Sequence, residues 1–193
     1  MRRRPLPRWA VVPALLVVGV FFALRQSPEV AGAPADVPAG AQAAVVELIV
    51  DGDTLWVHRA ASGGHLSAGE THKIRLLEID SPETAHPQLG QQCGGQEATD
   101  FATDLLPLGS TVWLTADRED RDRYDRFLRY AWTADGTFFN EAAVRTGHAR
   151  AVLFEPNDAY IDVMRAAEEE ARGAQRGIWG PPCSLAQQEE TAS

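Results

Sequence analysis

The sequence predicts an α+β domain built mainly from β structure, a five-stranded Greek-key barrel of the OB type with about three helices. Two observations predict it. Segments with the alternation of strands occur as three, then two, and a helical segment separates the two groups, which is the element order of a partly open barrel of this type. The length of 193 residues and the 45% content of hydrophobic residues fit one domain with appendages.

Three strands come first, at residues 44–50, 54–60 and 72–79. The first two are joined by Asp51-Gly52, a strong hairpin signal. In the third, Ile74 and Leu76 alternate with their neighbours, and Pro82 ends the pairing because proline has no N–H to donate. If these strands form a curled meander, residues at their ends meet at one rim of the barrel.

The remaining elements follow the same logic. Apolar residues at helical spacing predict a helix over 96–106, and strands are predicted over 111–115 and 127–133. A short helix over 140–146 ends at Gly147, and a longer amphipathic helix covers 159–172.

The first residues have the pattern of a targeting segment. Residues 9–24 are apolar apart from a proline and a glycine, arginines precede them, and residues 31–33 form a small-residue cleavage site. We therefore expect residues 1–26 to be a signal peptide or an uncleaved N-terminal membrane anchor, and residues 27–42 to be a flexible linker. The domain then spans 43–183, followed by a disordered tail over 184–193, and lies outside the cell or on the outer face of the cytoplasmic membrane. The arginines that precede the apolar stretch are Arg2, Arg3, Arg4 and Arg8.

The charge balance argues against a passive nucleic-acid binder. The formal net charge is -9, and residues 34–193 alone carry 13 basic and 26 acidic side chains, a net of -13. Non-specific affinity for nucleic acid depends on neutralising phosphates. Chemistry on phosphates in this chain must therefore rely on a local arginine cluster and a metal.

Cys93 and Cys183 are the two cysteines of the chain. In an exported protein an even count favours a disulfide, which here would tie the C-terminal end to the loop after Pro82. The alternative is two unpaired thiols.

Acidic residues at two strand ends suit a hard cation. Asp53 follows the first turn and Asp80 ends the third strand. Two carboxylates with a backbone carbonyl and waters suit Ca²⁺, whereas Mg²⁺ is possible but requires stricter geometry. Glu83 follows Pro82 in a stiff turn and could take a proton from a water molecule.

Two arginines are candidates for phosphate contacts. Arg75 lies in a strand among apolar residues, and Arg126 follows a charged loop just before a strand. Guanidinium groups bind phosphate oxygens in a bidentate manner and stabilise the extra charge of a pentacoordinate transition state. Carboxylates and arginines in one cleft suit an enzyme that attacks a phosphodiester.

Read together, these segments resemble the thermonuclease family, the staphylococcal-nuclease-like enzymes. The resemblance extends from about Val45 to Trp179 and has four motifs in the family's order. They are Asp51-Gly52-Asp53-Thr54, the segment from Arg75 to Thr84, Arg123-Tyr124-Asp125-Arg126, and the segment from Asn140 to Gly147.

This resemblance implies an OB-type barrel and a Ca²⁺-dependent phosphodiesterase that acts on DNA and RNA, single strands included, and leaves 3′-phosphate ends. It implies that Asp53 and Asp80 bind the metal through carboxylates and Ser81 through its backbone carbonyl. Glu83 matches the general base, and the phosphate-binding and terminal-phosphate residues match Arg75, Arg126, Arg123 and Tyr124. We expect a monomer.

The chain departs from the family at several positions. Asp125 stands where a glycine is usual, which places an extra acid beside Arg126, and two tyrosines and a lysine near the nucleotide appear as Val152, Phe154 and Glu155. We hypothesise an intact catalytic centre with a weaker grip on substrate. The rival hypothesis is a non-catalytic OB-fold module that binds nucleic acid or protein.

Overall fold

The computed structural model describes residues 32–59, 66–84 and 90–184. The predicted signal peptide or anchor (1–26), the start of the predicted linker (27–31) and all but the first residue of the predicted tail (184–193) lie outside the described residues. In the part of the chain that is described, no helix is both long and apolar enough to cross a membrane.

Five strands form a closed barrel, as the sequence predicts. They are β1 (Gln42–Ile49), β2 (Thr54–His58), β3 (Thr71–Leu76), β5 (Thr111–Thr115) and β6 (Phe127–Trp132). The barrel order is β1-β2-β3-β6-β5, in which β3 and β6 pair in parallel and the other neighbours are antiparallel. The register of β1 against β2 shifts between Val46 and Leu48, and such bulges increase the curl that closes a barrel.

The predicted third strand is shorter than expected. β3 ends at Leu76, and Glu78 turns the chain with φ 60 before β4 (Ile79–Asp80). β4 pairs with β7 (Arg150–Ala151) in a separate two-stranded sheet. A strand of two residues is too short to show an alternating pattern. The sequence therefore predicted one strand where the structure has two, β3 and β4.

Three helices pack outside the barrel. They are α1 (Gly95–Leu105), α2 (Phe139–Arg145) and α3 (Ile161–Gly173), and a 3-10 helix, Gly177–Trp179, follows α3. Ala102 of α1, Phe139 of α2 and Met164 of α3 join the barrel interior in one buried cluster. The predicted helices are confirmed to within two residues at each end.

A second apolar cluster covers the other face of β6. It contains Val37, Leu77, Trp113 and Tyr130, among others. The second half of the predicted linker is therefore packed against the domain. Hydrogen-bonded turns within residues 34–41 bury the side chain of Val37, which is 7% exposed.

The predicted disulfide is present. Cys93 and Cys183 are bonded, with their Cα atoms 5.4 Å apart and 90 positions apart in the sequence. The bond joins the loop before α1 to the segment after the 3-10 helix, so it fastens the C-terminal end to the side of the domain that carries Glu83.

Candidate functional site

One cleft gathers most of the predicted site residues. Its volume is about 470 Å³, and it lies between the β2–β4 region and the loop that precedes β6. Residues from both sides line it, namely Asp51, Asp53, Thr54, Arg75, Asp80, Glu83, Glu119, Asp122, Arg123, Tyr124, Arg126, Leu128, Phe154, Glu155 and Asn157. Of the residues predicted for the site, Ser81 is the one that does not line this cleft.

Arg75 is the buried centre of the first wall. Its Nε lies 3.2 Å from Asp53 Oδ1, and its Nη2 donates to Asp80 Oδ1 at 2.9 Å. Its Nη1 donates to the backbone carbonyls of Leu76 and Ile79. A guanidinium has five N–H groups, so one N–H of Nη2 is left without a partner among the described residues.

The contacts of Arg75 bear on its expected bidentate contact with a phosphate. The side chain is 6% exposed and four of its donors are directed at the protein. With these contacts in place, Arg75 can offer a phosphate oxygen one hydrogen bond and its charge. The same contacts bring Asp53 and Asp80 together on either side of one cation.

Hydrogen bonds from Ser81 and Thr54 orient the carboxylate of Asp53. The N–H and the hydroxyl of Ser81 both donate to Asp53 Oδ2, at 2.8 and 3.1 Å. Thr54 Oγ1 donates to the other oxygen at 3.0 Å. Both carboxylate oxygens of Asp53 are therefore oriented by short contacts, and the side chain cannot rotate without breaking them.

Gly52 has a different role from the one its sequence context predicts. A Cβ there would lie 2.7 Å from Ser81 Cβ and 2.8 Å from Ala98 Cβ. The residue must be glycine because the turn after β1 packs directly on the Pro82 turn and on α1. This close approach sets Asp53 beside Ser81.

Asp51 is a site residue that the sequence reasoning treated only as part of a turn. Its Oδ1 accepts the N–H of Asp53 at 3.0 Å, and it lines the cleft. Burial, together with the charges of Asp53 and Glu83, raises its pKa to about 6, against the opposing effects of the Asp53 N–H and of Arg75. The acids of this wall thus outnumber the buried cation. The Asp-x-Asp spacing was the signal that could have indicated this.

Glu83 stands at the mouth of the cleft on an anchored turn. Its N–H donates to Gln92 Oε1 and its carbonyl accepts the N–H of Gln92, both at 2.9 Å. A Cβ on Gly95 would lie 2.6 Å from the Glu83 carbonyl oxygen, so α1 must begin with a glycine to pack here. The backbone of Glu83 is held, while its carboxylate is exposed to the cleft.

Arg126 forms the opposite wall. Its Nε donates to Asp122 Oδ2 at 2.7 Å, and its backbone N–H donates to Asp122 Oδ1 at 2.9 Å. Burial alone would raise the pKa of Asp122, but these hydrogen bonds and that from the Tyr124 N–H together lower it. Among the described residues, no hydrogen bond or ion pair occupies Nη1 or Nη2 of Arg126, so these groups can form the bidentate phosphate contact.

Asp125, the extra acid beside Arg126 in the sequence, pairs with a different arginine. Its carboxylate accepts a hydrogen bond from Arg121 Nη1 at 2.6 Å, and its side chain is 83% exposed. It is Asp122 that pairs with Arg126. The backbone of Asp125 has φ 63, a left-handed conformation that glycine adopts freely and that Asp tolerates better than most residues.

Arg123 and Tyr124 stand together at the rim beside Arg126. Arg123 Nη2 donates to Tyr124 Oη at 2.7 Å, and Arg126 Cζ lies 5.5 Å from the centre of the Tyr124 ring. Tyr124 is 64% exposed. Among the departures from the family pattern, Phe154 and Glu155 line the cleft, whereas Val152 does not.

Asn140, part of the fourth motif, has a structural role. Its Nδ2 donates to the Leu77 carbonyl at 2.8 Å and its Oδ1 accepts the N–H of Ala131 at 2.9 Å. It therefore ties α2 to β6 and to the turn between β3 and β4. This turn places Asp80 at the cleft.

The sequence of this chain is similar to those of known nucleases. Residues 73–181 match the family model described as staphylococcal nuclease homologue. The chain is 34% identical to a thermonuclease of Staphylococcus intermedius over 135 residues, which is 70% of this chain and 74% of that protein. It is 31% identical to a thermonuclease of Staphylococcus hyicus over 169 residues, covering 88% and 93% of the two chains. Endonuclease YncB of Bacillus subtilis is 35% identical over 132 residues, 67% of this chain and 58% of that one.

Proposed function

The chain belongs to the staphylococcal nuclease homologue family and is a hydrolase with endonuclease activity, and we propose that it is an exported, Ca²⁺-dependent enzyme that cleaves DNA, RNA or both in the described cleft. One observation carries the proposal. A single cleft contains a buried arginine with two carboxylates, an exposed carboxylate on an anchored turn, and a partly exposed arginine of which two nitrogens have no hydrogen-bond partner among the described residues.

The residues present fit a hard divalent cation. Asp53 and Asp80 converge on one guanidinium, and the carboxylates of Asp51 and Glu83 line the same cleft. In the described residues no group of three or more His, Cys, Asp or Glu side chains forms a ready-made cluster, so waters and a carbonyl would complete the shell, as Ca²⁺ permits. Asp53 and Asp80 would hold the ion, with the Ser81 carbonyl as the family resemblance implies. When bound, the ion polarises the phosphate and lowers the pKa of a bound water.

The side chains divide the remaining work between them. Glu83 accepts the proton of the attacking water, since its carboxylate faces the cleft and its backbone is fixed. Arg126 contacts the non-bridging phosphate oxygens through Nη1 and Nη2, and Arg75 adds one hydrogen bond and its charge. Donors aimed at the developing charge stabilise the transition state more than the ground state. Arg123 and Tyr124 bind a terminal phosphate at the rim.

Export is supported by two features. The N-terminal segment has arginines before an apolar stretch, and the cysteines pair in a disulfide, which persists in oxidising compartments. Cleavage of the segment would release the enzyme into the medium, whereas its retention would anchor the enzyme on the outer face of the membrane. Comparing the mass of the mature protein in the medium and in the membrane fraction tests this proposal.

The proposed roles are tested by kinetics on single-stranded DNA with Ca²⁺, with Mg²⁺ and with EDTA. We expect cleavage with Ca²⁺ only, and we expect Glu83→Gln and Arg126→Ala each to lower kcat by about 10²–10⁴-fold without altering the far-UV circular dichroism spectrum. Arg118→Ala is a control that removes an arginine outside the cleft lining. If either site variant kept most of its activity, the assignment of roles would be wrong. Inactivity of the folded wild type with every metal would favour a binding module instead.

A further inference from the structure

Two exposed arginines are held against Trp179, on the same side of the domain as β4 and β7. Arg172 Cζ lies 3.9 Å and Arg150 Cζ 5.2 Å from the centre of the Trp179 ring. Both contacts are within the range of cation–π attraction, which is strongest for tryptophan. The two guanidinium groups are therefore neighbours whose positions are restricted before any ligand arrives. We call this group the Trp179 arginine pair.

The Trp179 arginine pair adjoins the cleft. Arg150 lies in β7 directly opposite Asp80 in β4, and residues opposite each other in an antiparallel pair have Cα atoms about 4.5–5.5 Å apart. Asp80 lines the cleft, so Arg150 lies beside a lining residue, although Arg150 itself is not part of the lining. Arg172, near the end of α3, adds a second positive charge against the same tryptophan ring.

The charge of the Trp179 arginine pair is incompletely neutralised. Arg150 has no acidic partner within ion-pair distance in the described part of the chain, although it faces Asp80 across the ladder. Arg172 Nη2 lies 3.4 Å from Glu168 Oε2, and the other oxygen of Glu168 accepts the Ala151 N–H.

Part of the cleft lining is acidic and exposed. Glu119 and Glu155 line the cleft next to Phe154. Their negative charges repel a phosphate backbone, so a strand that extends beyond the cleft is disfavoured near these two residues. The exposed positive charge of Arg150 offers such a strand a favourable contact instead.

We propose that the Trp179 arginine pair binds backbone phosphates of the substrate strand where it extends beyond the cleft, as an additional nucleic-acid contact. The inference rests on the proposed function, because it takes the strand in the cleft as its starting point. Positively charged tracks that include an aromatic ring are typical of single-strand binding. The contact is with phosphates, so it is independent of base sequence.

The test is the binding of a fluorescein-labelled 12-nucleotide oligothymidylate in EDTA, followed by anisotropy over a series of salt concentrations. We expect Arg150→Gln and Arg172→Gln each to weaken binding several-fold and to reduce the slope of log K against log salt by about 0.7 per lost phosphate contact. Arg150→Lys should restore the slope because it keeps the charge. Arg165→Gln is the matched control, since it removes one exposed arginine from the same helix, α3.

A second measurement uses cleavage with Ca²⁺. The two variants should raise KM on the 12-nucleotide strand but not on a dinucleotide, which is too short to reach beyond the cleft. Salt slopes and KM values equal to those of Arg165→Gln would overturn the inference even if the wild type cleaves DNA. If the wild type cleaves nothing, the proposed function fails, and the anisotropy series still decides whether the Trp179 arginine pair binds the strand.

Discussion

The two arginines of the cleft are held in opposite ways. Arg75 has a 6% exposed side chain and uses its donors on two carboxylates and two backbone carbonyls of its own wall. Arg126 is 23% exposed and is fixed by one acid, Asp122, four residues away in the same loop. One is a component of the fold that also faces the cleft, and the other is a loop residue positioned for a ligand.

This difference separates stability from catalysis. Loss of a buried cation that pairs with a buried carboxylate leaves a charge without compensation, which is costly. Loss of an arginine on a partly exposed loop leaves its partner in contact with water, which changes the free energy of unfolding only slightly. We therefore expect substitutions at Arg75 to act through the fold and substitutions at Arg126 to act through the rate.

The largest contrast is expected between Arg75→Gln and Arg126→Gln in urea unfolding. Arg75→Gln should lower the free energy of unfolding by about 3–5 kcal/mol, because Asp53 stays buried without its partner. Arg126→Gln should change it by less than about 1 kcal/mol. Equal destabilisation by the two substitutions would contradict the division of roles between the two walls.

Asp122→Asn tests what holds Arg126. The lowered pKa of Asp122 means that its carboxylate stabilises the fold fully above its ordinary pKa of 3.8, and that this contribution is lost as the pH falls through the lower folded value. The free energy of unfolding should thus be about 1 kcal/mol higher for the wild type than for Asp122→Asn at pH 6, and this difference should narrow towards pH 2.5. Urea unfolding of both proteins at both pH values measures the difference.

The same variant has a kinetic consequence. Arg126 keeps its charge in Asp122→Asn but loses its anchor, so kcat should fall less than in Arg126→Ala. A gap in stability that stays constant from pH 6 to pH 2.5 would mean that the ionised carboxylate of Asp122 is not the stabilising group.

The smallest effect is expected for Asp125→Gly. Glycine relieves the left-handed backbone conformation at φ 63, but it loses the exposed pair with Arg121 and loosens the unfolded chain. The change in the free energy of unfolding should be within about 1 kcal/mol, with kcat unchanged. Asp125→Asn is the control that removes the charge alone. A tenfold gain in kcat for both would show that Asp125 does restrain Arg126.

Much of the fold was predictable because it rests on local patterns. In the described residues, alternation and turn chemistry located the five barrel strands and the three α-helices, since each is long enough for its period to appear. The motifs likewise indicated seven site residues that line the cleft, namely Asp53, Arg75, Asp80, Glu83, Arg123, Tyr124 and Arg126. Their chemical types, which a sequence states directly, suit an enzyme that attacks a phosphodiester, and their joint pattern with the family resemblance indicated a nuclease.

What the tertiary structure decided depends on partners far apart in the chain. The pairing of Asp80 with Arg150 spans 70 positions, and only the fold could reveal it. The number of free N–H groups on Arg75, the choice of Asp122 over Asp125 as the partner of Arg126, and the recruitment of Asp51 depend on side-chain directions. A sequence specifies which groups are available, whereas directions and distances follow from packing, because each side chain settles among neighbours that the whole fold brings together.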